Sequence, residues 1–322
     1  MTVFIVPIEP LEERYSAQWM RWMLESFPSQ WRWVLGEELT KGIEQGEFLD
    51  VCGTNFYKAK QVQELARLIH GGEISDGDSV FFLDLWFPLE QLFYMLDGIG
   101  LDVKVGGVLH AGAYDDHDFL SRKGMGWWAA PIEAAWWSRC DDVFVFSEFH
   151  RKMLMRERSV RNIRVVEFPY DATELNKYRR TKKDLQCVFP HRMAPEKSPW
   201  LIDEMRASGI DVTTTAGMSK TEYYLTLSRA QYSVSWNEQE TFGIAMAESA
   251  YLGAHCLMPR RLSYPELWRR ESIVDSVSEM ISVIKSEVRS EHIGDTPGPF
   301  SATKSVERFG DTISKWAGQE NK

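Results

Sequence analysis

Short apolar runs alternate along this chain with longer stretches that repeat at helical spacing. Val3-Phe-Ile-Val6, Phe48-Leu-Asp-Val51, Ser79–Asp84, Val105–Leu109, Val143–Phe146 and Ile163–Val166 are nearly continuous in apolar character. Such runs predict strands buried on both faces. Between several of them lie helical segments, Lys60–His70, Glu90–Leu96, Trp127–Arg139 and Glu148–Glu157, and an aromatic-rich stretch runs from Tyr15 to Trp33. A polar segment, Asp171–Asp184, interrupts the series. The pattern restarts with strands at Leu185–Phe189, Ile210–Thr215 and Tyr232–Trp236 and helices at Trp200–Ser208, Lys220–Ser228, Phe242–Leu252 and Ser276–Arg289. Ser301–Gly318 reads as a final helix, and no internal repeat is present.

Strand followed by helix, repeated, predicts an α/β fold with parallel sheets covered on both sides. The simplest architecture is two Rossmann-like halves with a ligand cleft at the carboxyl ends of the strands. Composition agrees: 322 residues suffice for two domains, and 44% hydrophobic with 26% charged residues is ordinary for a packed protein. No apolar stretch approaches eighteen residues, and no basic region precedes the short apolar run at the N-terminus. That run reads as a first strand and not as a signal peptide. Cys52, Cys140, Cys187 and Cys256 are widely spaced without a Cys-x-x-Cys pair, as expected of reduced thiols in a cytoplasmic protein.

Candidate chemistry concentrates in Trp236-Asn-Glu-Gln-Glu240-Thr-Phe-Gly243-Ile-Ala-Met-Ala-Glu248. A strand here runs into a loop, and a helix starts near Phe242–Gly243 and stops around Gly253. Glu240 therefore sits in the loop, and Glu248 lies about two turns along the helix. N–H groups at the helix start favour an anion such as a diphosphate, and carboxylates suit sugar hydroxyls. Glu248 lies in an apolar run, where an unpaired carboxylate is costly. The two glutamates resemble the Glu-x7-Glu signature of retaining GT-B glycosyltransferases of family 4. That resemblance implies that Glu240 faces the donor sugar, that Thr241, Phe242 and Gly243 lie at the phosphates, and that Glu248 binds the ribose.

A second segment, Pro190-His191-Arg192-Met-Ala-Pro195-Glu196-Lys197, directly follows a predicted strand. The same resemblance makes Arg192 and Lys197 ligands of the donor diphosphate, where two cations stabilise the negative charge of the leaving nucleotide. It implies a GT-B division: an acceptor domain over 1–170, a basic linker over 171–184, a donor domain over 185–300, and a helix over 301–322 that packs back on the first domain. No cofactor beyond a UDP- or GDP-linked sugar co-substrate is expected.

Just beyond Val105–Leu109 comes His110-Ala-Gly-Ala-Tyr114-Asp115-Asp116-His117-Asp118. His110 is a candidate for touching the donor sugar or the reacting hydroxyl, Tyr114 is a candidate for the acceptor site, and Asp115, Asp116 and Asp118 are candidates for orienting or deprotonating the acceptor. Helix capping is the competing reading of the aspartates, Asp118 included. Asp116-His117-Asp118 is formally an Asp-x-Asp, but no metal is expected, because the rest of the chain resembles metal-independent enzymes. The loop after the first strand lacks the family's glycines and offers Arg14, Tyr15 and Gln18 instead. These are acceptor candidates, against the alternative of a helix start with aromatic core packing.

The run from Glu240 to Glu248, together with Pro259-Arg-Arg-Leu-Ser-Tyr264-Pro265 and Pro190-His191-Arg192, is similar to tRNA-queuosine mannosyltransferases. Arg14-Tyr15…Gln18-Trp19 and His110-Ala-Gly-Ala-Tyr-Asp look like bacteriophage glycosyltransferases acting on hydroxymethylated DNA pyrimidines. Both relatives add a sugar to a nucleobase within a polynucleotide, so the expected partner is a nucleic acid, DNA ahead of tRNA. Net charge is −10, poor for a general nucleic-acid binder, but residues 151–183 carry eleven Lys/Arg against four Asp/Glu, net +7. Several tryptophans, Trp19, Trp22, Trp31 and Trp127 among them, are candidate stacking platforms or core residues. The resulting expectation is a retaining hexosyl- or pentosyltransferase with a modified-nucleobase acceptor. Transfer to a small molecule, lipid or polysaccharide, and a non-catalytic nucleotide-binding scaffold, are the alternatives. No stable membrane association is expected.

Overall fold

All four residues of β1 (Val3–Val6) are buried, which a strand with neighbours on both edges and layers on both faces requires. The computed structural model describes residues 1–11, 15–27, 31–39, 50–286 and 304–319. It divides into two compact units, Met1–Pro169 with Val306–Lys322, and Tyr170–Ser305.

In the first unit β1 is followed by α1 (Tyr15–Ser26), β2 (Trp31–Trp33), α2 (Val51–His70), β3 (Ser79–Phe82), α3 (Leu89–Ile99), β4 (Lys104–Val108), α4 (Phe119–Arg122), α5 (Gly126–Arg139), β5 (Asp142–Val145), α6 (Glu148–Arg158) and β6 (Ile163–Val165). The strands form one sheet in the order β2-β1-β3-β4-β5-β6. Every pairing is parallel, with Val3 opposite Trp31 and Ser79, Ser79 opposite Lys104, and Gly106 opposite Asp142.

Two expectations change here. The strand expected over Phe48–Val51 lies partly outside the described residues, and its last residue opens α2. The reason is local: the Asp50 carboxylate accepts from the Gly53 N–H at 2.9 Å, which caps a helix start. In the aromatic stretch, Trp31–Trp33 forms the edge strand β2, too short to show an alternating pattern.

The second unit contains β7 (Leu185–Phe189), α7 (Trp200–Ala207), β8 (Val212–Thr214), α8 (Lys220–Arg229), β9 (Ala230–Val234), α9 (Ile244–Tyr251), β10 (His255–Pro259), α10 (Tyr264–Leu267), β11 (Ile273–Val274) and α11 (Val277–Lys285). Its sheet runs β11-β10-β9-β7-β8, again all parallel. The stretch 171–184, expected as a linker, belongs to this unit, and Ala172–Tyr178 forms a 3-10 helix packed on α8 and α9. The unit begins and ends at one place. Tyr170 N–H donates to Ser305 Oγ at 2.9 Å, and the Ser305 hydroxyl donates back to Tyr170 O at 2.8 Å.

The last helix, α12 (Ser305–Trp316), returns the chain to the first unit. Its Trp316 indole N–H donates to Asp142 at 2.9 Å, and its ring edge-packs on Phe81 and Phe144. Gly106 makes room for it: a Cβ there would stand 2.7 Å from the indole. The helices expected over Ser276–Arg289 and Ser301–Gly318 reach past the described residues at 287–289 and 301–303.

Candidate active site

In the second sheet the chain leaves β7 toward one edge, to β8, and returns through β9 toward the other. Loops after such neighbouring strands diverge and leave a crevice at their carboxyl ends, where α/β folds bind ligands. The two loops at this switch point carry the residues singled out in the sequence. After β7 come His191, Arg192 and the 3-10 turn Pro195–Lys197, and after β9 comes the segment from Ser235 to Gly243. A backbone hydrogen bond of 2.9 Å from Glu238 N to Glu196 O ties one loop to the other.

Lys197 and Glu240 meet here. The ammonium donates to Glu240 Oε2 at 3.2 Å and to the Gln239 carbonyl at 3.0 Å. Ser198, buried and left-handed at φ 53°, turns the chain directly after the lysine. Glu240 Oε1 accepts from the Thr241 and Phe242 N–H groups at 3.2 and 3.4 Å, and Oε2 accepts from Asn237 Nδ2 at 3.3 Å. Burial works to raise the pKa of this carboxyl. The Lys197 charge and the N–H groups of Phe242 and Gly243 outweigh it and hold the group ionised, below its usual range. Gly243 caps α9 at φ 95°, where a Cβ would stand 3.1 Å from the Tyr264 ring. Arg192, at the mouth of the first loop, pairs with the buried carboxylate of Glu196.

Sequence reasoning missed the side chains that hold this loop. Arg261 spans it, donating to the carbonyls of Trp236 and Asn237 at 2.7 and 3.0 Å and to Glu238 Oε1 at 2.8 Å. The same guanidinium lies 5.3 Å from the centre of the Trp236 ring. Asn237 also donates to the Tyr264 hydroxyl at 3.1 Å, which bonds Ser235 at 3.0 Å. The only signal for these residues was their place in the Pro259–Pro265 segment and beside Glu240.

Glu248, on α9, is 3% exposed and bound by three phenols. Tyr170 and Tyr224 donate to Oε1 at 2.8 and 3.0 Å, and Tyr223 donates to Oε2 at 2.8 Å. The costly buried carboxylate expected from the apolar run is thus compensated within the unit itself.

In the first unit the candidate residues divide. Arg14 lies outside the described residues. His110 Nε2 lies 2.7 Å from the Leu83 carbonyl, which only accepts, so this nitrogen carries the proton. His110 Nδ1 then accepts from the Tyr15 hydroxyl at 3.0 Å. Burial lowers the pKa of the ring and keeps it neutral. His110 thus anchors Tyr15 and does not present an open nitrogen to a substrate. Tyr15, Trp19, His110, Phe146 and Phe168 form one aromatic cluster with centroids 4.7–6.0 Å apart. Trp19 is buried in this cluster and Tyr15 half-buried.

Gln18 and Tyr114, expected at an acceptor site, are buried instead. The Tyr114 hydroxyl bonds His150 Nε2 at 2.5 Å, and Arg158 and Glu133, a buried ion pair at 2.9 Å, lie behind the loop. Glu133 also accepts from Ala113 N at 2.6 Å and Trp86 Nε1 at 3.1 Å. Asp115 is half-buried, accepts from His117 N at 2.9 Å and is pushed up by burial, whereas Asp116 is exposed. Asp118 caps α4 through Leu120 N at 2.9 Å, as the competing reading held. Among the described residues no cluster of His, Cys, Asp or Glu could hold a metal ion, and no helix is long and apolar enough to cross a membrane.

The basic block is smaller than its residue count. Arg151, Arg156, Arg158 and Arg164 pair with Glu148, Glu157, Glu133 and Asp142. Lys183 is turned inward, donating to the carbonyls of Ser228 and Leu252 at 2.7 and 2.6 Å, and burial lowers its pKa to about 8. Lys152, Arg161, Lys177, Arg179, Arg180 and Lys182 remain exposed. Of the tryptophans, Trp19, Trp22 and Trp31 are core, while Trp127 is 83% exposed at the start of α5.

Two parallel α/β units joined in this order, with the C-terminal helix back on the first, define the GT-B fold of glycosyltransferases. Over 98–99% of the chain the structure is similar to a sucrose-phosphate synthase from Thermosynechococcus elongatus (TM-score 0.61, 11% identity, 98% of that chain) and to Anabaena HepE crystallised with UDP-glucose (0.63, 10%, 100%). It is likewise similar to the lipopolysaccharide outer core galactosyltransferase WaaB (0.60, 12%, 100%). At these identities the likeness is one of fold. A 90-residue stretch is 32% identical to the tRNA-queuosine alpha-mannosyltransferase of Drosophila melanogaster. It covers 28% of this chain and 23% of that enzyme, so the chain matches under a quarter of its relative's length. No protein-family model matches the sequence.

Proposed function

We propose that this protein is a retaining glycosyltransferase that moves a sugar from a nucleoside-diphosphate donor to a hydroxyl on a modified nucleobase. The observation that carries the donor half is the Lys197–Glu240 pair at the β7/β9 switch point, beside the start of α9. Lys197 and Arg192 supply positive charge for a leaving diphosphate, and the N–H groups of Thr241 and Phe242 lie on the same loop. Ionised Glu240 accepts hydrogen bonds from donor-sugar hydroxyls, and Glu248 takes the ribose. The acceptor hydroxyl attacks on the face that the nucleotide leaves, which preserves the anomeric configuration. The donor is UDP- or GDP-linked, and the enzyme uses no further cofactor or metal.

The acceptor is assigned to hydroxymethylpyrimidine in DNA on the resemblance of the Arg14–Trp19 and His110–Asp115 segments. Exposed Trp127 and the cations Lys177, Arg179, Arg180 and Lys182 support a polynucleotide. The exposed Asp116, with half-buried Asp115 beside it, is the candidate for orienting the hydroxyl. A second reading, transfer to queuosine in tRNA, is favoured by the 90-residue likeness to a tRNA-queuosine mannosyltransferase. Incubating the protein with hydroxymethylated DNA or with tRNA, each with a panel of UDP- and GDP-sugars, followed by mass spectrometry of the nucleosides, tests both. A hexose or pentose mass on one nucleoside is the expected result. Donor hydrolysis without any nucleoside product would overturn the nucleobase acceptor, and absence of both would overturn the transferase.

A further inference from the structure

Glu248 is reached by three phenols that are not equivalent. Tyr170 and Tyr224 are 2% and 3% exposed, and both donate to Oε1. An ionised carboxylate oxygen offers two lone-pair directions, so Oε1 is filled from within the unit. Tyr223 alone serves Oε2 in this set, and its ring is half-buried on the first turn of α8. That turn is fixed by a capping box, with Ser219 Oγ accepting from Glu222 N at 3.3 Å and Glu222 Oε2 accepting from Ser219 N at 2.9 Å. The capping box fixes the backbone that carries Tyr223, so the exchange proposed below needs movement of the side chain alone. With all three phenols seated, Glu248 is 3% exposed, which leaves no room for a ligand hydroxyl at the carboxylate.

We propose that the Tyr223 hydroxyl is a stand-in for a ribose hydroxyl: it occupies Glu248 Oε2 in the unliganded protein and swings aside when a nucleotide binds. The idea rests on the donor reading above, in which Glu248 takes the ribose. A phenol and a ribose hydroxyl are chemically matched for the exchange, since each donates one O–H to the same oxygen. Burial and the Glu248 charge hold the Tyr223 pKa well above its ordinary value, so the phenol stays a donor at neutral pH. Tyr170 and Tyr224 are positioning residues that keep the carboxylate aimed during the exchange. The unliganded protein gains a satisfied buried charge, and nucleotide binding bears the loss of one hydrogen bond.

The exchange has an unusual sign. Tyr223→Phe removes the competitor while keeping the ring, so UDP or GDP, whichever the wild type binds, should bind about three- to tenfold tighter by titration calorimetry. The unliganded variant should melt at a lower temperature and recover on adding that nucleotide. Inorganic diphosphate, which lacks ribose, should bind wild type and variant equally. Tyr170→Phe and Tyr224→Phe should weaken nucleotide binding. Equal or weaker nucleotide binding by Tyr223→Phe, or an equal gain with inorganic diphosphate, would overturn the stand-in while leaving the donor site intact. Failure of the wild type to bind either nucleotide would overturn the donor reading itself, and the stand-in with it.

Discussion

Lys197 and Glu240 approach to 3.2 Å although forty-three positions separate them, and their side chains are only 14% and 19% exposed. In such a half-dry setting each charge needs the other. Lys197→Ala and Glu240→Ala should each lower donor turnover by about 10²- to 10³-fold, the range seen when one charge-stabilising group is lost. Each variant should lose about 1–3 kcal/mol of stability because a partner is left unpaired, while circular dichroism stays that of the wild type. Wild-type hydrolysis of a nucleotide sugar by either variant would refute the pair's role.

Arg261 touches no proposed ligand, yet its fork holds two carbonyls and a carboxylate of the Glu240 loop. Arg261→Ala should raise the donor KM about 10- to 100-fold through misplacement of Glu240. Arg261→Lys should fail to rescue it, because a single ammonium cannot span three acceptors in a plane. Steady-state kinetics on both variants check this, and rescue by lysine would reduce the role to simple charge.

His150 is fully buried, and burial, followed by the neighbouring His110, lowers its pKa from 6.5 to about 3. The folded protein therefore holds it neutral, while the unfolded chain protonates it below pH 6.5. Its contribution is complete above that pH and is lost as pH falls from 6.5 toward 3, at up to about 1.4 kcal/mol per pH unit. Urea denaturation of wild type and His150→Gln between pH 7.5 and 4 should show a shallower acid decline in the variant. Parallel declines would remove His150 as the cause.

The exposed cations at Lys177, Arg180 and Lys182 should act on a polynucleotide, and the inward Lys183 on the fold. Reversing the first three together should weaken oligonucleotide binding and reduce the slope of log K against log salt by about one for each phosphate no longer neutralised. Lys183→Ala should leave that slope unchanged and lower the melting temperature, since two carbonyls lose their donor. Filter-binding titrations at several salt concentrations, together with thermal melts, separate the two effects.

The α/β character and most strands were legible because parallel strands buried on both faces leave continuous apolar runs, as in Val143–Phe146. Strands β2, β10 and β11 were not, β2 and β11 for their length and β10 because His255–Pro259 continues an apolar run past Gly253. Arg192, Lys197 and Glu240 could be named in advance because their segments resemble those of family-4 GT-B glycosyltransferases, and each segment follows a strand of the same parallel sheet. The cage of Glu248 could not. Tyr170, Tyr223 and Tyr224 share no spacing with it, and a tyrosine in a helix looks the same whether its hydroxyl is wet or committed. The same blindness made Tyr114 and Gln18 look accessible: residue type marks a polar group, and only packing decides whether His150 or solvent receives it.

Tyr170 carries two attachments at once. Its backbone is stapled to Ser305, the last residue of the second unit, and its hydroxyl grips Glu248. The second unit is in effect a cassette whose seam is sewn with the same thread that steadies its proposed ribose carboxylate. Any damage to the seam, even at a serine remote in sequence from every candidate ligand residue, is transmitted to that carboxylate through a single side chain.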